Sequence, residues 1–136
     1  TMAYLKNNKL DQVIRDLKQP VLGICLGMQL MCKHSEENDT PCLGIFDEGV
    51  RKFKASTEFK VPHMGWNNLT LTDSWPEKPL ENNSVYFVHS YYVPVNQFTT
   101  AVSDYIVPFS AAMKKDNFYA VQFHPEKSAQ AGEQNF

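Results

Sequence analysis

The chain has 136 residues, of which 43% are hydrophobic and 21% are charged, and this composition predicts one globular domain over residues 1–136. The formal net charge of -2 and the scattered lysines provide no basic surface for nucleic acid. The longest nearly uncharged stretch, residues 19–32, is too short to span a bilayer, so neither a nucleic acid nor a membrane is an expected partner.

The first third of the chain is predicted to form helix, strand and helix. Apolar residues between positions 10 and 17 recur with a helical period, which predicts one amphipathic helix over residues 2–18 that ends before Pro20. Residues 21–24 predict a short buried strand. Residues 26–34 predict a second helix. This alternation is typical of an α/β protein with parallel strands.

The remainder of the chain is predicted to form strands. Residues 111–118 predict a hairpin whose turn is Lys115-Asp116-Asn117. A doubly wound sheet begins with a strand, whereas this chain begins with a helix, so we expect it to be part of a longer domain. The predicted strands are residues 50–53, 59–61, 66–71, 85–88, 99–105, 109–113 and 118–123.

Cys25 lies between two glycines at the point where the first strand gives way to a helix, in the pattern G-x-C-x-G. A residue on such a turn is exposed at the carboxyl edge of the sheet, and Gly23 and Gly27 would leave room on either side. The positive end of the following helix would favour a thiolate. Cys25 is therefore a candidate nucleophile, although a free cysteine could also serve here as a small packing residue.

A catalytic cysteine needs an imidazole to take and return a proton, and the imidazole needs a group that orients it. His124 follows the strand-like run "YAVQF", and Glu126 stands two residues further on. If that strand lies beside residues 21–24, thiol and imidazole meet at one edge of the sheet. The alternative is an exposed His-Pro turn with no catalytic role.

The other three histidines fit the role of base less well. His34 would end the second helix, ~14 Å from Cys25 at the helical rise per residue, and would serve there as a C-terminal helix residue. His63 and His89 are interpreted as core residues or surface-contact residues.

The three cysteines, Cys25, Cys32 and Cys42, are odd in number and form no C-x-x-C pair and no cysteine-histidine cluster at zinc spacing. We therefore expect free thiols in a reducing, cytoplasmic compartment and no bound metal.

Several motifs together resemble the class I, triad-type glutamine amidotransferases. They are "GICLGMQ" at 23–29, "PHMGWN" at 62–67, "YFVHSYY" at 86–92 and "FHPEKS" at 123–128. The resemblance implies a three-layer, flavodoxin-like α/β fold with a mixed sheet. The family domain also has N-terminal strands and a glycine-rich loop that provides a second oxyanion donor, and we expect the chain to lack them and to be a poor enzyme without that loop.

The resemblance also implies roles for individual residues. Cys25 resembles the family's nucleophile, His124 the general base and acid, and Glu126 the residue that orients the histidine. The positions that resemble the family's glutamine-binding residues are Leu26 through its backbone N–H, Gly27, Gln29, Ser90 and Tyr91.

The activity implied is hydrolysis of glutamine to glutamate and ammonia through a cysteine thioester, without a cofactor. "PHMGWN" and "YFVHSYY" resemble members that form a heterodimer with a cyclase, a (β/α)8 barrel that uses the ammonia to form imidazole glycerol phosphate and AICAR in histidine biosynthesis. The residues that would dock on the cyclase are Pro62, His63, Met64, Gly65, Trp66, Asn67 and Lys127.

Two other hypotheses remain open from the sequence. In the first, the same triad supplies ammonia to a different acceptor, as in the anthranilate, GMP or carbamoyl phosphate members of the family. In the second, the chain is a non-catalytic scaffold that keeps the fold, or its cysteine serves only in redox sensing.

Overall fold

The computed structural model of the chain describes residues 1–76 and 84–127. It begins with two short helices, α1 (Met2–Asn7) and α2 (Leu10–Arg15). The single helix predicted over residues 2–18 is therefore wrong, because Lys9 has a φ of 58° in the left-handed region and interrupts it. The side chain of Asn8 ends α1 by donating to the carbonyl of Tyr4 over 2.8 Å.

The predicted strand over residues 21–24 is confirmed as β1 (Val21–Ile24), but its predicted burial is wrong, since only Gly23 in it is buried. The following helix, α3 (Leu26–Leu30), has only five residues. The predicted extension of this helix to residue 34 is wrong, since residues 32–35 form strand β2 (Cys32–Ser35). Hydrogen bonds to another segment of the same chain override the helical preference of these residues. One of them joins the N–H of Gly44 to the carbonyl of Cys32 over 2.8 Å.

The main sheet consists of β1 and four later strands, β6 (Thr70–Leu71), β9 (Thr99–Tyr105), β10 (Val107–Lys115) and β11 (Phe118–Val121). Their order across the sheet is β1-β11-β10-β9-β6. β1 and β11 are parallel and the other neighbours are antiparallel, so the predicted mixed sheet is confirmed. The predicted hairpin between β10 and β11 is also confirmed, with Asp116 at a φ of 54° in its turn.

Two smaller sheets contain β2 and the strands β3 (Thr40–Pro41), β4 (Phe46–Lys52), β5 (His63–Asn67), β7 (Val85–His89) and β8 (Tyr91–Tyr92). Their orders are β3-β2-β4-β8 and β5-β7. β2 and β4 are parallel, and β5 and β7 are antiparallel. A short 3-10 helix (Glu37–Asp39) precedes β3, and another (Pro125–Lys127) follows β11.

Two predicted strands differ from the structure. Residues 59–61 form no strand, because Ser56 and Phe59 hydrogen-bond each other in a local turn instead of a neighbouring strand. The strand predicted over residues 66–71 is divided into the end of β5 and β6. The carboxamide of Asn67 accepts the N–H of Asn68 over 2.8 Å and turns the chain there.

Two hydrophobic clusters form the core. The first surrounds Met28, Phe46 and Met113, and the second surrounds Phe87 and Phe109, all of which are fully buried. None of the helices in the described part of the chain has the length and hydrophobicity that a membrane span requires. The family resemblance also implies a closing helix after residue 128, and that segment lies outside the described residues.

Candidate active site

The site begins with the sharp turn at Cys25, between β1 and α3. Cys25 has a φ of 53° and a ψ of -102°, a conformation that residues with a side chain rarely adopt. Such strain persists only where the surrounding structure enforces it, and it occurs often at functional sites. The predicted strained elbow is therefore present, with the cysteine at its apex.

Gly23 allows the strand and the helix to approach each other at this turn. A Cβ atom at Gly23 would lie 2.9 Å from the backbone carbon and oxygen of Gly27, which is closer than real contacts allow. The prediction that Gly23 provides room is therefore confirmed. The same prediction for Gly27 is wrong, since a Cβ there would meet no described atom within 4 Å.

His124 and Cys25 follow adjacent parallel strands. β1 and β11 are in register from Val21 with Phe118 to Ile24 with Val121, so their carboxyl ends lie at the same sheet edge. The prediction that thiol and imidazole meet requires these two strands to be neighbours, and this requirement is met. The backbone N–H of His124 donates a hydrogen bond to the backbone carbonyl of Tyr86 over 2.9 Å.

Glu126 contacts the imidazole of His124. Its Oε1 lies 2.7 Å from Nδ1 of His124, so Nδ1 carries the proton and donates a hydrogen bond to the carboxylate. Partial burial would raise the pKa of Glu126, but its own backbone N–H, the His124 ring and Lys127 together lower it. The carboxylate therefore stays ionised, and Nε2 is the nitrogen through which His124 would accept a proton.

The sulfur of Cys25 is held between backbone and side-chain groups. It lies 3.7 Å from the carbonyl of Val88 and 3.5 Å from Nε2 of Gln122. Burial raises the pKa of the Cys25 thiol, and the charge of Glu126 raises it further; the Leu26 N–H and Gln122 lower it but do not compensate. The Leu26 N–H at the start of α3 lowers the pKa of Cys25 as predicted, but burial outweighs it, so the predicted preference for a thiolate is wrong.

A cleft of about 390 Å³ opens beside the sulfur. A volume of this order accommodates a small-molecule ligand. It brings together the candidate nucleophile and four of the five predicted glutamine-binding residues; Gly27 does not line it. The lining residues are Cys25, Leu26, Gln29, Glu37, Pro62, Val88, His89, Ser90 and Tyr91.

Gln29 connects the cleft wall to the interior. It is 6% exposed, and its Nε2 donates to the carbonyl of Tyr91 and to Oε1 of Gln122, both over 3.1 Å. Sequence reasoning missed Gln122. The signal available was a single polar residue in the otherwise apolar run between Phe118 and Phe123.

His63 and His89 form a buried pair beneath the cleft. Nδ1 of His63 lies 3.1 Å from Nε2 of His89, and Nδ1 of His89 lies 2.8 Å from the carbonyl of Tyr91. Burial lowers the pKa of each ring to about 4. Both are therefore neutral core residues. His34 lies on β2 beside Asp39, at 2.7 Å, and not at a helix end as predicted.

The predicted cyclase-docking residues of β5 divide between two faces of the strand. Met64 and Trp66 are exposed by 63% and 55%, whereas His63 is 4% exposed and lies inside, which corrects its assignment to a contact surface. Trp66 packs edge-on against Tyr86, and the Lys127 ammonium lies 5.3 Å from that ring. We call Met64, Trp66, Tyr86 and Lys127 the aromatic patch.

The chain is similar to known proteins in its sequence. Residues 3–136 match the family described as "Glutamine amidotransferase class-I". The chain is 60% identical over 135 residues to the imidazole glycerol phosphate synthase subunit HisH of Bacteroides fragilis, strain YCH46, and covers 69% of that protein. It is 49% identical to the subunit HisH 2 of Legionella pneumophila, strain Paris, of which it covers 67%.

The chain is also similar to known proteins in its fold. A solved structure from Thermoplasma acidophilum, described as belonging to GMP synthase, superposes with a TM-score of 0.67 at 24% identity. The alignment covers 95% of this chain and 59% of that one, and at this identity it bears on the fold alone. The fold, the family match and the identity to HisH proteins agree. The chain belongs to the class I glutamine amidotransferase family.

Proposed function

We propose that the chain hydrolyses the side-chain amide of glutamine, with Cys25 as nucleophile, His124 as general base and acid, and Glu126 as the residue that orients His124. The observation that carries this proposal is the pairing of β1 with β11, because it places a strained cysteine elbow beside the strand that leads to a histidine-carboxylate pair. This is the arrangement that nucleophilic catalysis by cysteine requires.

The first half of the reaction forms a thioester. His124 Nε2 takes the thiol proton, which is needed because burial keeps the Cys25 pKa high. The sulfur attacks the side-chain carbonyl carbon of glutamine, and the N–H of Leu26 at the start of α3 donates to the developing oxyanion. The carbon–nitrogen bond then breaks as His124 returns the proton to nitrogen, and ammonia leaves.

The second half of the reaction releases glutamate. His124 takes a proton from a water molecule, whose oxygen attacks the thioester carbonyl, and the carbon–sulfur bond breaks. The sulfur recovers the proton from His124, which restores the resting thiol. Glu126 remains ionised throughout and stabilises the imidazolium that forms in each half.

The cleft beside Cys25 would hold the substrate. Ser90 and Tyr91 form one wall of it, and Gln29 lies at its base. Gln29 already uses its amide N–H groups within the protein, so its carbonyl oxygen is the group that would accept a hydrogen bond from glutamine.

We further propose that the ammonia passes to a cyclase partner that forms imidazole glycerol phosphate and AICAR, as the names of the similar HisH proteins suggest. The aromatic patch is the expected contact with this partner, a (β/α)8 barrel. A single hydrogen bond links the patch to the proposed base, because the backbone carbonyl of Tyr86 accepts it from the backbone N–H of His124. Partner binding would therefore act directly on the position of His124.

The test compares Cys25→Ala with Cys42→Ala, a matched change of a buried cysteine outside the cleft. Each variant is combined with the cyclase, and product formation is measured with glutamine and with an ammonium salt. Cys25→Ala should abolish the glutamine-dependent reaction and keep the ammonia-dependent one, whereas Cys42→Ala should keep both. Full glutamine-dependent activity in Cys25→Ala would exclude the proposed nucleophile.

A further inference from the structure

We propose that Gln122 is a positioning residue for the reaction, which holds the Cys25 sulfur by donating its side-chain amide N–H to it. The proposal rests on the proposed function for its catalytic meaning, but the contact itself can be tested without glutamine. Nε2 of Gln122 lies 3.5 Å from Sγ of Cys25.

The burial of Gln122 carries a free-energy cost that a residue with a purely structural role would avoid. Its side chain is fully buried, and its neighbours Val121 and Phe123 are fully buried apolar residues. A buried carboxamide is stable only where its donors and acceptor are satisfied, whereas an apolar residue would fit this position without any such requirement. The amide at this position therefore needs an explanation, and its contact with the sulfur provides one.

The direction of the hydrogen bond is fixed by the polarity of a chain of groups. The carbonyl of Tyr91 can only accept, so the atom of Gln29 that faces it must be the nitrogen. The same nitrogen faces Gln122, which must therefore present its oxygen. The nitrogen of Gln122 is then the atom that faces Cys25.

This chain of groups gives Gln122 one orientation. If the carboxamides of Gln29 and Gln122 both turned over, the oxygen of Gln29 would face the oxygen of Tyr91, and two acceptors would oppose each other. The Tyr91 carbonyl also accepts from Nδ1 of His89 and is fixed by two donors. The donor is thus held toward the sulfur before substrate arrives, which is the property that preorganised sites require.

The chemical consequence concerns the charge on the sulfur. An N–H donor stabilises a thiolate more than a thiol, because hydrogen bonds to charged acceptors are the stronger ones. Gln122 accordingly lowers the pKa of Cys25, and it opposes the effect of burial. During the reaction the sulfur would be held on its line of attack while His124 removes the proton.

The experiment measures the rate at which iodoacetamide alkylates Cys25 as a function of pH in the full chain. Tandem mass spectrometry distinguishes Cys25 from Cys32. Gln122→Met keeps the length of the side chain and removes its donor. Ser110→Ala is the matched control, because Ser110 is a fully buried polar residue that bonds Pro94 and Thr99 and not the sulfur.

Gln122→Met should move the midpoint of the alkylation curve to higher pH and lower the rate near neutral pH about tenfold. Ser110→Ala should leave the midpoint unchanged. An unchanged midpoint in Gln122→Met would overturn the proposal, whether or not the protein hydrolyses glutamine. Failure of the proposed function would give a different result. Cys25→Ala would then keep glutamine-dependent activity, and Gln122→Met would still show the midpoint shift.

A second measurement needs no change at Gln122 and covers the case in which that variant fails to fold. In ¹⁵N-labelled protein, the side-chain amide resonance of Gln122 should shift with pH at the same midpoint as Cys25 alkylation, and this shift should be absent in Cys25→Ala. A resonance that does not respond to ionisation of Cys25 would overturn the proposal.

Discussion

The backbone N–H of Cys25 donates a 2.8 Å hydrogen bond to the carbonyl of Val121. This bond continues the pairing of β1 with β11 by one residue beyond Ile24, so the pairing reaches the apex of the elbow. Because β11 continues toward His124, the bond ties the proposed nucleophile to the strand of the proposed base. A change that displaces the elbow should therefore also disturb the meeting of thiol and imidazole.

Gly23→Ala should damage both stability and catalysis. The added methyl group would meet the backbone of Gly27 at 2.9 Å, and overpacking of this kind costs typically ~1–3 kcal/mol. Since α3 must move away to relieve the contact, Cys25 moves with it, and glutamine hydrolysis should fall by about 10²-fold. Urea unfolding and steady-state kinetics measure the two effects.

The matched control for this variant is Gly49→Ala, because a Cβ at Gly49 meets no described atom within 4 Å. Gly49→Ala should retain near-normal stability and activity. If Gly23→Ala retained both as well, close contact between strand and helix would not determine the geometry of the elbow.

Glu126→Gln should lower kcat for glutamine hydrolysis by more than about tenfold, with a smaller effect on KM. The reason is that the carboxamide keeps the contact with Nδ1 of His124 but loses the charge that stabilises the imidazolium. Lys127→Gln, the next position along the chain, leaves the carboxylate in place and should keep kcat in the absence of the cyclase. Equal kcat values for Glu126→Gln and the unaltered protein would show that Glu126 does not support the base.

The stability of the protein should fall as the pH falls from about 6.5 to about 4. Burial lowers the pKa of His63 and His89 to about 4, whereas in the unfolded chain each titrates near the ordinary value of 6.5. Between these values the unfolded chain binds protons that the folded chain does not, so the pair contributes its stability above pH 6.5 and loses it progressively toward pH 4.

His63→Gln should remove about half of this pH-dependent loss in urea unfolding, because one of the two buried rings no longer titrates. His34→Gln is the matched control, since His34 lies at the surface beside Asp39 and not in the core. If the unaltered protein and both variants lost the same stability as the pH falls, other groups would cause the pH dependence.

Trp66→Ala should weaken binding to the cyclase by about 30-fold or more, because an exposed aromatic residue beside Tyr86 has the properties of an interface hot spot. Calorimetry of the two purified proteins measures the affinity. Tyr4→Ala removes another exposed aromatic ring, on α1, and should bind as the unaltered protein does. Similar affinities for both variants would exclude the aromatic patch as the docking surface.

The candidate residues at the carboxyl edge of the sheet could be predicted from the sequence, because their signals are local. Gly23 and Cys25 mark the elbow, and the apolar run before His124 marks the partner strand. The sequence does not determine that these two strands pair, and the structure provides this pairing. The hairpin with Asp116 in its turn was also predictable, because its signal is local.

The remaining features depend on contacts between distant residues. Residues 32–35 form a strand because β4 pairs with them, and nothing in their own sequence excludes a helix. The resting protonation of Cys25 also could not be predicted, because it reflects how deeply the sulfur is buried. The role of Gln122 could not be predicted from the sequence, because it depends on Gln29, which lies 93 positions away.

Catalysis through Cys25 is tested most directly by trapping the thioester on this residue. Protein mixed with the cyclase and isotopically labelled glutamine is quenched in acid within the first turnover, digested and analysed by mass spectrometry. We expect the labelled glutamyl group on the peptide that contains Cys25, at higher occupancy when ammonia release is fast and hydrolysis slow. Turnover of glutamine with no label on Cys25, or with the label on another residue, would contradict this expectation.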